Sequence, residues 1–235
     1  MAAKLSVDID KSSLTSLLEN CTEKFLKYTK ATEADGWKYA NTENGVEVWK
    51  YSPTDGSPTN GLARGRIPVK VPPELAWRYV IDARNNMAMD SHCTGVELLQ
   101  EFGPELYIYR ISYSLPWPIT PRELIVAYNC TFIDPKTRLT LFTSIPEEFV
   151  PVTPGFVRAE SFGGILNISN EANTSCELIS VSSGDLKGYL PTYLINAIIT
   201  RRPYLLSKVR DLLESHDPNV SSKYFFIEEA KLPKL

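Results

Sequence analysis

Side chains able to do chemistry are sparse in this chain, and where they occur their spacing argues against catalysis. The 235 residues include two histidines and four cysteines. His92 adjoins Cys93, a pair able to ligate metal, but no second His/Cys cluster lies near it in sequence, and a structural or surface histidine fits better. Glu147 with Glu148, and Glu228 with Glu229, set carboxylates side by side, the residue type of general acid–base work. Both pairs sit in loop or tail contexts, where solvated charge is the simpler reading. Gly-x-Ser-x-Gly, the P-loop, Gly-x-Gly-x-x-Gly and His-Glu-x-x-His are absent from the sequence. No metal and no cofactor is expected.

The tyrosines carry a different message. In ELYIYRISYS, residues 105–114, period-two alternation puts Tyr107, Tyr109, Ile111 and Tyr113 on one face and Ile108, Arg110, Ser112 and Ser114 on the other. RELIVAYNCTFI alternates likewise, with Leu124, Val126, Tyr128 and Cys130 together. A sheet packed on a solid core accounts for these faces. Buried phenol hydroxyls also need partners, however, and a ligand cavity supplies them.

The elements that must hold these strands follow from periodicity. Residues 11–31 space Leu14, Leu17/Leu18, Cys21, Phe25 and Tyr28 three to four apart behind Ser12 and Ser13 as caps, which predicts an amphipathic helix. Asn44-Gly45 predicts a tight hairpin turn, and a strand around 62–69 follows. Pro72-Pro73 opens a short helix that turns Leu75 and Val80 inward, with Ala76 and Tyr79 as further candidates. Six strands come next, at 95–101, 105–114, 122–133, 138–145, 155–169 and 176–183, and a long helix from Gly188 to about Leu213 closes the pattern. The expected class is α+β, an antiparallel sheet with helices on one side.

With 43% hydrophobic and 23% charged residues, one domain over 1–215 with a tail at 216–235 is the natural division. A net charge of -3 supplies no basic face, so nucleic acid is not an expected partner. No window reaches the roughly 20 apolar residues of a membrane span, and MAAKLSVDIDKSS lacks a signal-peptide core. A cytoplasmic monomer with reduced thiols is expected, its Asn-x-Ser/Thr sequences, Asn167 among them, chance matches. PTYLINAIIT, residues 191–200, stands out because apolar atoms surround nearly the whole helix, so something must cover more than one side.

Four motifs in the right order, GWKYANTENGVEV, LPWPITPREL, PGFVRAESFGG and SGDLKGYLPTYLIN, resemble the START domain, the steroidogenic acute regulatory protein-related lipid-transfer family. The resemblance runs from about Gly36 to Leu213. It implies a helix-grip fold, in which a curved antiparallel sheet wraps the C-terminal helix around a tunnel for one lipid. One side of PTYLINAIIT would then face lipid, and Pro203 would kink the helix as a hinge or a static bend. The ligand-facing residues so implied are Asp90, Tyr109, Ile111, Tyr113, Leu124, Val126, Tyr128, Phe162, Ser180 and Ser182, with Leu194, Ala197 and Ile198 from the helix. SLPWPITP resembles the family's loop at the tunnel mouth. Pro116, Trp117 and Pro118, with Ile199, Arg201, Arg202 and Pro203, are the implied gate and transient membrane contact; Trp117 either meets the bilayer or caps the core.

The lipid itself is less determined. Where the phosphatidylcholine-binding branch has its aromatic cage and arginine, this chain has Ile111, Leu124, Phe162 and Asn86; where sterol binders pair an acid with an arginine, it has Ile111 and Tyr128. Met89 replaces the tryptophan of the family's tryptophan-aspartate motif beside Asp90. Hydroxyls without a charged pair suit a sterol or other neutral isoprenoid slightly ahead of a phospholipid. Two other classes stay open: a polyketide-cyclase-like enzyme, and a lipid sensor acting on a protein partner through residues 216–235.

Overall fold

The computed structural model describes residues 9–53, 61–188, 190, 201–215, 225, 227–228 and 231–234. Asn44 and Gly45, at φ 50° and 77°, turn β1 (Trp37–Glu43) back onto β2 (Val46–Tyr51), the left-handed geometry that Asn-Gly tolerates. β3 (Ala63–Val69) extends this hairpin. Two short helices follow, α2 (Pro73–Val80) and α3 (Asn86–Met89). Proline opens α2 at no cost, because a first-turn N–H has no intrahelical partner to lose.

The remaining strands are β4 (Cys93–Phe102), β5 (Leu106–Tyr113), β6 (Arg122–Asp134), β7 (Thr137–Ser144), β8 (Val157–Arg158), β9 (Glu160–Ser169) and β10 (Cys176–Asp185). The sheet runs β1-β2-β3-β10-β9-β7-β6-β5-β4, open and curved, with β10 returning to lie beside β3. Every pairing along this path is antiparallel. Residues 155–169, expected as one strand, divide into two: β8 leaves β9 and pairs in parallel with β6.

Helices cover both faces of the sheet rather than one. α1 (Lys11–Lys30) buries Leu14, Leu18 and Phe25 against Ile125, Leu139, Leu141 and Leu166. Its cap is Asp10, whose carboxylate accepts from the Ser12 amide at 3.2 Å, so Ser12 and Ser13 already lie inside the first turn. The opposite face carries α2 and the C-terminal helix α4 (Leu205–Glu214), which presents Leu206, Val209 and Leu213. In α2 it is Trp77, rather than Leu75, that is fully buried, its indole donating to Thr140 Oγ1 at 3.2 Å.

The C-terminal helix starts later than the sequence suggested. Gly188 sits at φ 75°, outside helical space, and Leu190 is not helical. A 3-10 turn at Arg202–Tyr204 precedes α4, with Pro203, which has no N–H to give, at its start. Residues 191–200, with Leu194, Ala197, Ile198 and Ile199, lie outside the described residues. In the tail, Ile227 exchanges hydrogen bonds with Arg78, and Phe225 with the Asn85 side chain. The Arg84 guanidinium lies 4.0 Å over the Phe225 ring. Asn167 is fully buried and donates to the Pro73 carbonyl at 2.7 Å, which rules it out as a glycan acceptor.

Candidate ligand cavity

Between the sheet and α4 the side chains do not close. The walls come from alternate residues of adjacent strands: Ile111 and Tyr113 of β5, Leu124, Val126 and Tyr128 of β6, Phe142 of β7, Ser161 and Ile165 of β9, Ser180 and Ser182 of β10. Asn86, Met89 and Asp90 close one end, and Arg202, Leu205, Leu206 and Val209 form the roof. The void has a volume of about 100 Å³. About 10–15 Å³ of such space holds one water, so the void takes a ring system or a short chain without rearrangement. A larger groove of about 390 Å³ opens near α1, but Lys24, Glu147, Arg158, Glu160 and Asp185 line it, which suits water better than an apolar ligand.

The roof rests on a backbone contact that only glycine permits. A Cβ at Gly65 would stand 2.9 Å from Pro203 Cβ and 3.2 Å from its carbonyl oxygen. Pro203 therefore seats the start of α4 directly on β3, beside the Ser180 hydroxyl. Lys208 Nζ donates to the Met89 carbonyl at 2.6 Å, tying the helix to α3.

Polar groups in the cavity are few and largely protonated. Burial pushes the Tyr128 hydroxyl up to about 12, against the lowering effects of the Asn86 amide, 3.1 Å away, and the Arg202 charge. Burial also raises Tyr113, again opposed by Arg202. These phenols act as hydrogen-bonding groups and not as bases. Arg202 Nη1 donates to Ser161 Oγ at 2.9 Å, and its guanidinium lies 5.9 Å from the Tyr113 ring centre. Asp90 Oδ1 accepts from the His92 amide at 2.9 Å. Next to it, burial pushes the Cys93 thiol up to about 11, which disfavours the thiolate that metals need. Among the described residues no group of three His, Cys, Asp or Glu could hold a metal ion.

A second, smaller pocket shares Asp90, Tyr113, Leu124, Ser161 and Arg202 with this cavity and reaches Leu115, at the base of the Ser114 to Pro121 loop, where the tunnel mouth is expected. Arg122 holds this mouth together. Its guanidinium donates to the Thr120, Leu186 and Lys187 carbonyls, joining the loop to the segment after β10. Leu115 is buried while Pro116, Trp117 and Pro118 project, the indole 92% exposed, so Trp117 does not cap the core. Arg201 is exposed as well.

The START domain profile matches residues 17–211. The chain belongs to the START domain family. Among solved structures, human StAR-related lipid transfer protein 5 is similar at 25% identity and TM-score 0.73, over 88% of this chain and 100% of that one. Human STARD10 is similar at 19% identity and TM-score 0.69, over 95% and 86%. A fragment of the STAR-related lipid transfer protein from Xanthomonas axonopodis matches at 20% identity and TM-score 0.67, over 77% and 100%. No curated protein sequence matches the chain.

Within this START fold, eight of the expected residues share one cavity: Asp90, Ile111, Tyr113, Leu124, Val126, Tyr128, Ser180 and Ser182. Two do not. Tyr109 packs between Tyr107 and Tyr128, at 6.1 and 5.4 Å between ring centres, off the cavity wall. Phe162 points to the opposite face, 6.4 Å from the Tyr28 ring of α1 with Lys24 Nζ 4.8 Å away. Strand pairing explains the error: Ser180 and Ser182 lie opposite Ile165 and Gly163, so Ser161 shares their face and Phe162 cannot. The same register, read in advance, would have found Ser161 and Ile165. Arg202, assigned to the outer gate, instead turns into the cavity.

Proposed function

We propose that the protein lifts one lipid out of a membrane and carries it through water in this cavity, making and breaking no bond. The supporting observation is a mostly apolar void roofed by α4, next to a smaller pocket that reaches the base of a loop displaying a 92% exposed tryptophan. Lipid transfer is also what the similar human protein at 25% identity is named for. Removing on the order of 500 Å² of lipid surface from water at ~25 cal/mol/Å² is worth about 12 kcal/mol, so a free lipid rarely crosses the cytosol alone. An apolar cavity and a bilayer interior are similar solvents, which keeps loading and release near balance.

The size of the void favours a compact lipid of sterol or isoprenoid type over a diacyl phospholipid, which would need wider opening of the walls. Trp117, with Pro116, Pro118 and Arg201, is the part of the surface that meets the membrane. An indole suits the interface between headgroups and hydrocarbon, and an arginine near an anionic surface adds about 1 kcal/mol. No helix among the described residues is long and apolar enough to cross a membrane. The four cysteines are free thiols, which suits a cytoplasmic monomer. Transfer of a sterol between liposomes, followed with the ligand recovered chemically unchanged, tests this reading. A purified protein that neither extracts nor delivers any lipid, or that returns an altered one, refutes it.

A further inference from the structure

Several guanidiniums in this chain are spent on internal acceptors. Arg122 serves three main-chain carbonyls, Arg64 three carbonyls at the end of α1, and Arg158 the Glu123 carboxylate with two carbonyls. Arg202 differs. It is half-buried, lines both the cavity and the smaller pocket beside it, and makes one hydrogen bond among the described residues, to Ser161 Oγ. No carboxylate of the described residues lies within 4.0 Å of it. The rest of its five donors have no protein acceptor among those residues.

Its neighbours are also short of acceptors. Ser180, 9% exposed and on the same wall, has a buried hydroxyl with no partner among the described residues. Tyr113 keeps its proton and adds a further donor beside the guanidinium. Asp90, the acid on the cavity wall, forms no ion pair with Arg202, and one of its carboxylate oxygens accepts from the His92 amide. A half-buried cation facing an apolar void gains from a group that supplies negative charge there, and the planar fork of arginine matches the paired oxygens of an oxyanion.

We propose that Arg202 reads the polar end of the cargo, and that the cargo is an acidic lipid, a compact apolar body ending in a carboxylate, sulfate or phosphate. This rests on the carrier reading and specifies its ligand. The expectation of a neutral lipid rests on hydroxyls without a charged pair, and the inward turn of Arg202 adds a cation to that wall.

The test compares equilibrium binding of cholesterol, cholesterol sulfate and 5β-cholanic acid to the full chain, to Arg202→Gln and to Arg202→Lys. Melting temperatures confirm that each variant is folded. The two acids should bind wild type at least tenfold tighter than cholesterol. Arg202→Gln should erase that advantage, weakening the two acids at least tenfold more than it weakens cholesterol, and Arg202→Lys should restore part of it. The preference for cholanic acid should fade below about pH 5, where its carboxylate protonates, while that for the sulfate persists. Equal affinities overturn the proposal, as does an equal loss of all three ligands in Arg202→Gln, which would mark a positioning role through Ser161. Tighter binding of cholesterol than of either acid also overturns it, and points to a hydroxyl bridging Asp90 and Arg202. If sodium sulfate alone stabilises wild type over Arg202→Gln as much as cholesterol sulfate does, the site takes a free anion and not a lipid head. Binding of cholesterol alone sinks this inference and leaves the carrier standing; binding of none of the lipids sinks both.

Discussion

The two faces of one sheet have opposite interiors. On the α1 face, Phe25, Ile125, Leu139 and Leu141 are each at 0% exposure, and Gly164 lets the Phe25 ring close to within 3.1 Å of where a Cβ would stand. Where that face holds charge, the charge is matched: Glu123 Oε1 accepts from the Thr153 amide and from Arg158 Nε and Nη2. On the α4 face the alternate residues of the same strands are Tyr113, Tyr128, Ser161, Ser180 and Ser182. They leave a void and an arginine with one hydrogen bond among the described residues. Strand alternation thus builds a filled side that sets stability and a hollow side free to take a guest.

If this contrast is right, stability should be lost chiefly on the filled side. Phe25→Ala should cost about 3–5 kcal/mol, a fall of at least 6 °C or so in Tm at roughly 2–4 °C per kcal/mol for a chain of this size. Ile111→Ala, on the cavity wall, should cost under about 2 kcal/mol, because its side chain already borders space. Calorimetry giving equal losses would erase the distinction. Glu123→Gln tests the charged part of the filled side. Burial raises the Glu123 carboxyl, but hydrogen bonds from Thr153 and Arg158 outweigh it and hold the folded value below the ordinary one. Its stabilisation is therefore present above the unfolded value of about 4.3 and is lost as pH falls through the lower, folded value. Urea unfolding should show wild type ahead by about 1.5–3 kcal/mol at neutral pH, with the gap narrowing below about pH 4. A gap that widens in acid would reverse the sign.

The hollow side should respond in binding and not in stability. Leu124→Trp fills the void from β6, and should weaken cholesterol sulfate at least tenfold, about 1.4 kcal/mol, while Tm moves by only a few degrees. Undiminished binding by this variant would mean that the guest sits elsewhere.

Much of this architecture is legible in the chain, and its failures have physical causes. Tyr113, Leu124, Val126 and Tyr128 fall on the cavity wall because period-two alternation assigns faces with little ambiguity. Asn44-Gly45 marks its turn for an equally local reason. Phe162 is implied only by the family's cage position; ESFGGIL has no alternation of its own to check that placement, since its phase comes from pairing with β10. Ala159 hides a second break: its amide bonds to the Glu123 carbonyl at 2.9 Å, so β8 turns toward β6 and away from the line of β9. The direction of Arg202 was invisible for a subtler reason. The 3-10 turn at Pro203 advances side chains by about 120° per residue instead of 100°, so a single helical wheel over 188–213 loses its phase there. The close seat of Pro203 on Gly65, a contact between residues far apart in sequence, then fixes which way the guanidinium looks.

The smallest effect belongs to the mouth, which is part of neither interior. Trp117 touches little of the protein, so Trp117→Ala should leave Tm and equilibrium lipid affinity unchanged. If the indole docks on bilayers, burying about 40 Å² there at ~25 cal/mol/Å² is worth about 1 kcal/mol, and its loss should slow transfer between liposomes by about fivefold. Trp117→Phe should recover part of the rate, since an aromatic ring still partitions to the interface. A transfer rate that ignores both substitutions would move the membrane contact away from this loop. A fall in lipid affinity would instead make Trp117 part of the lining of the hollow side, a role that its exposure does not predict.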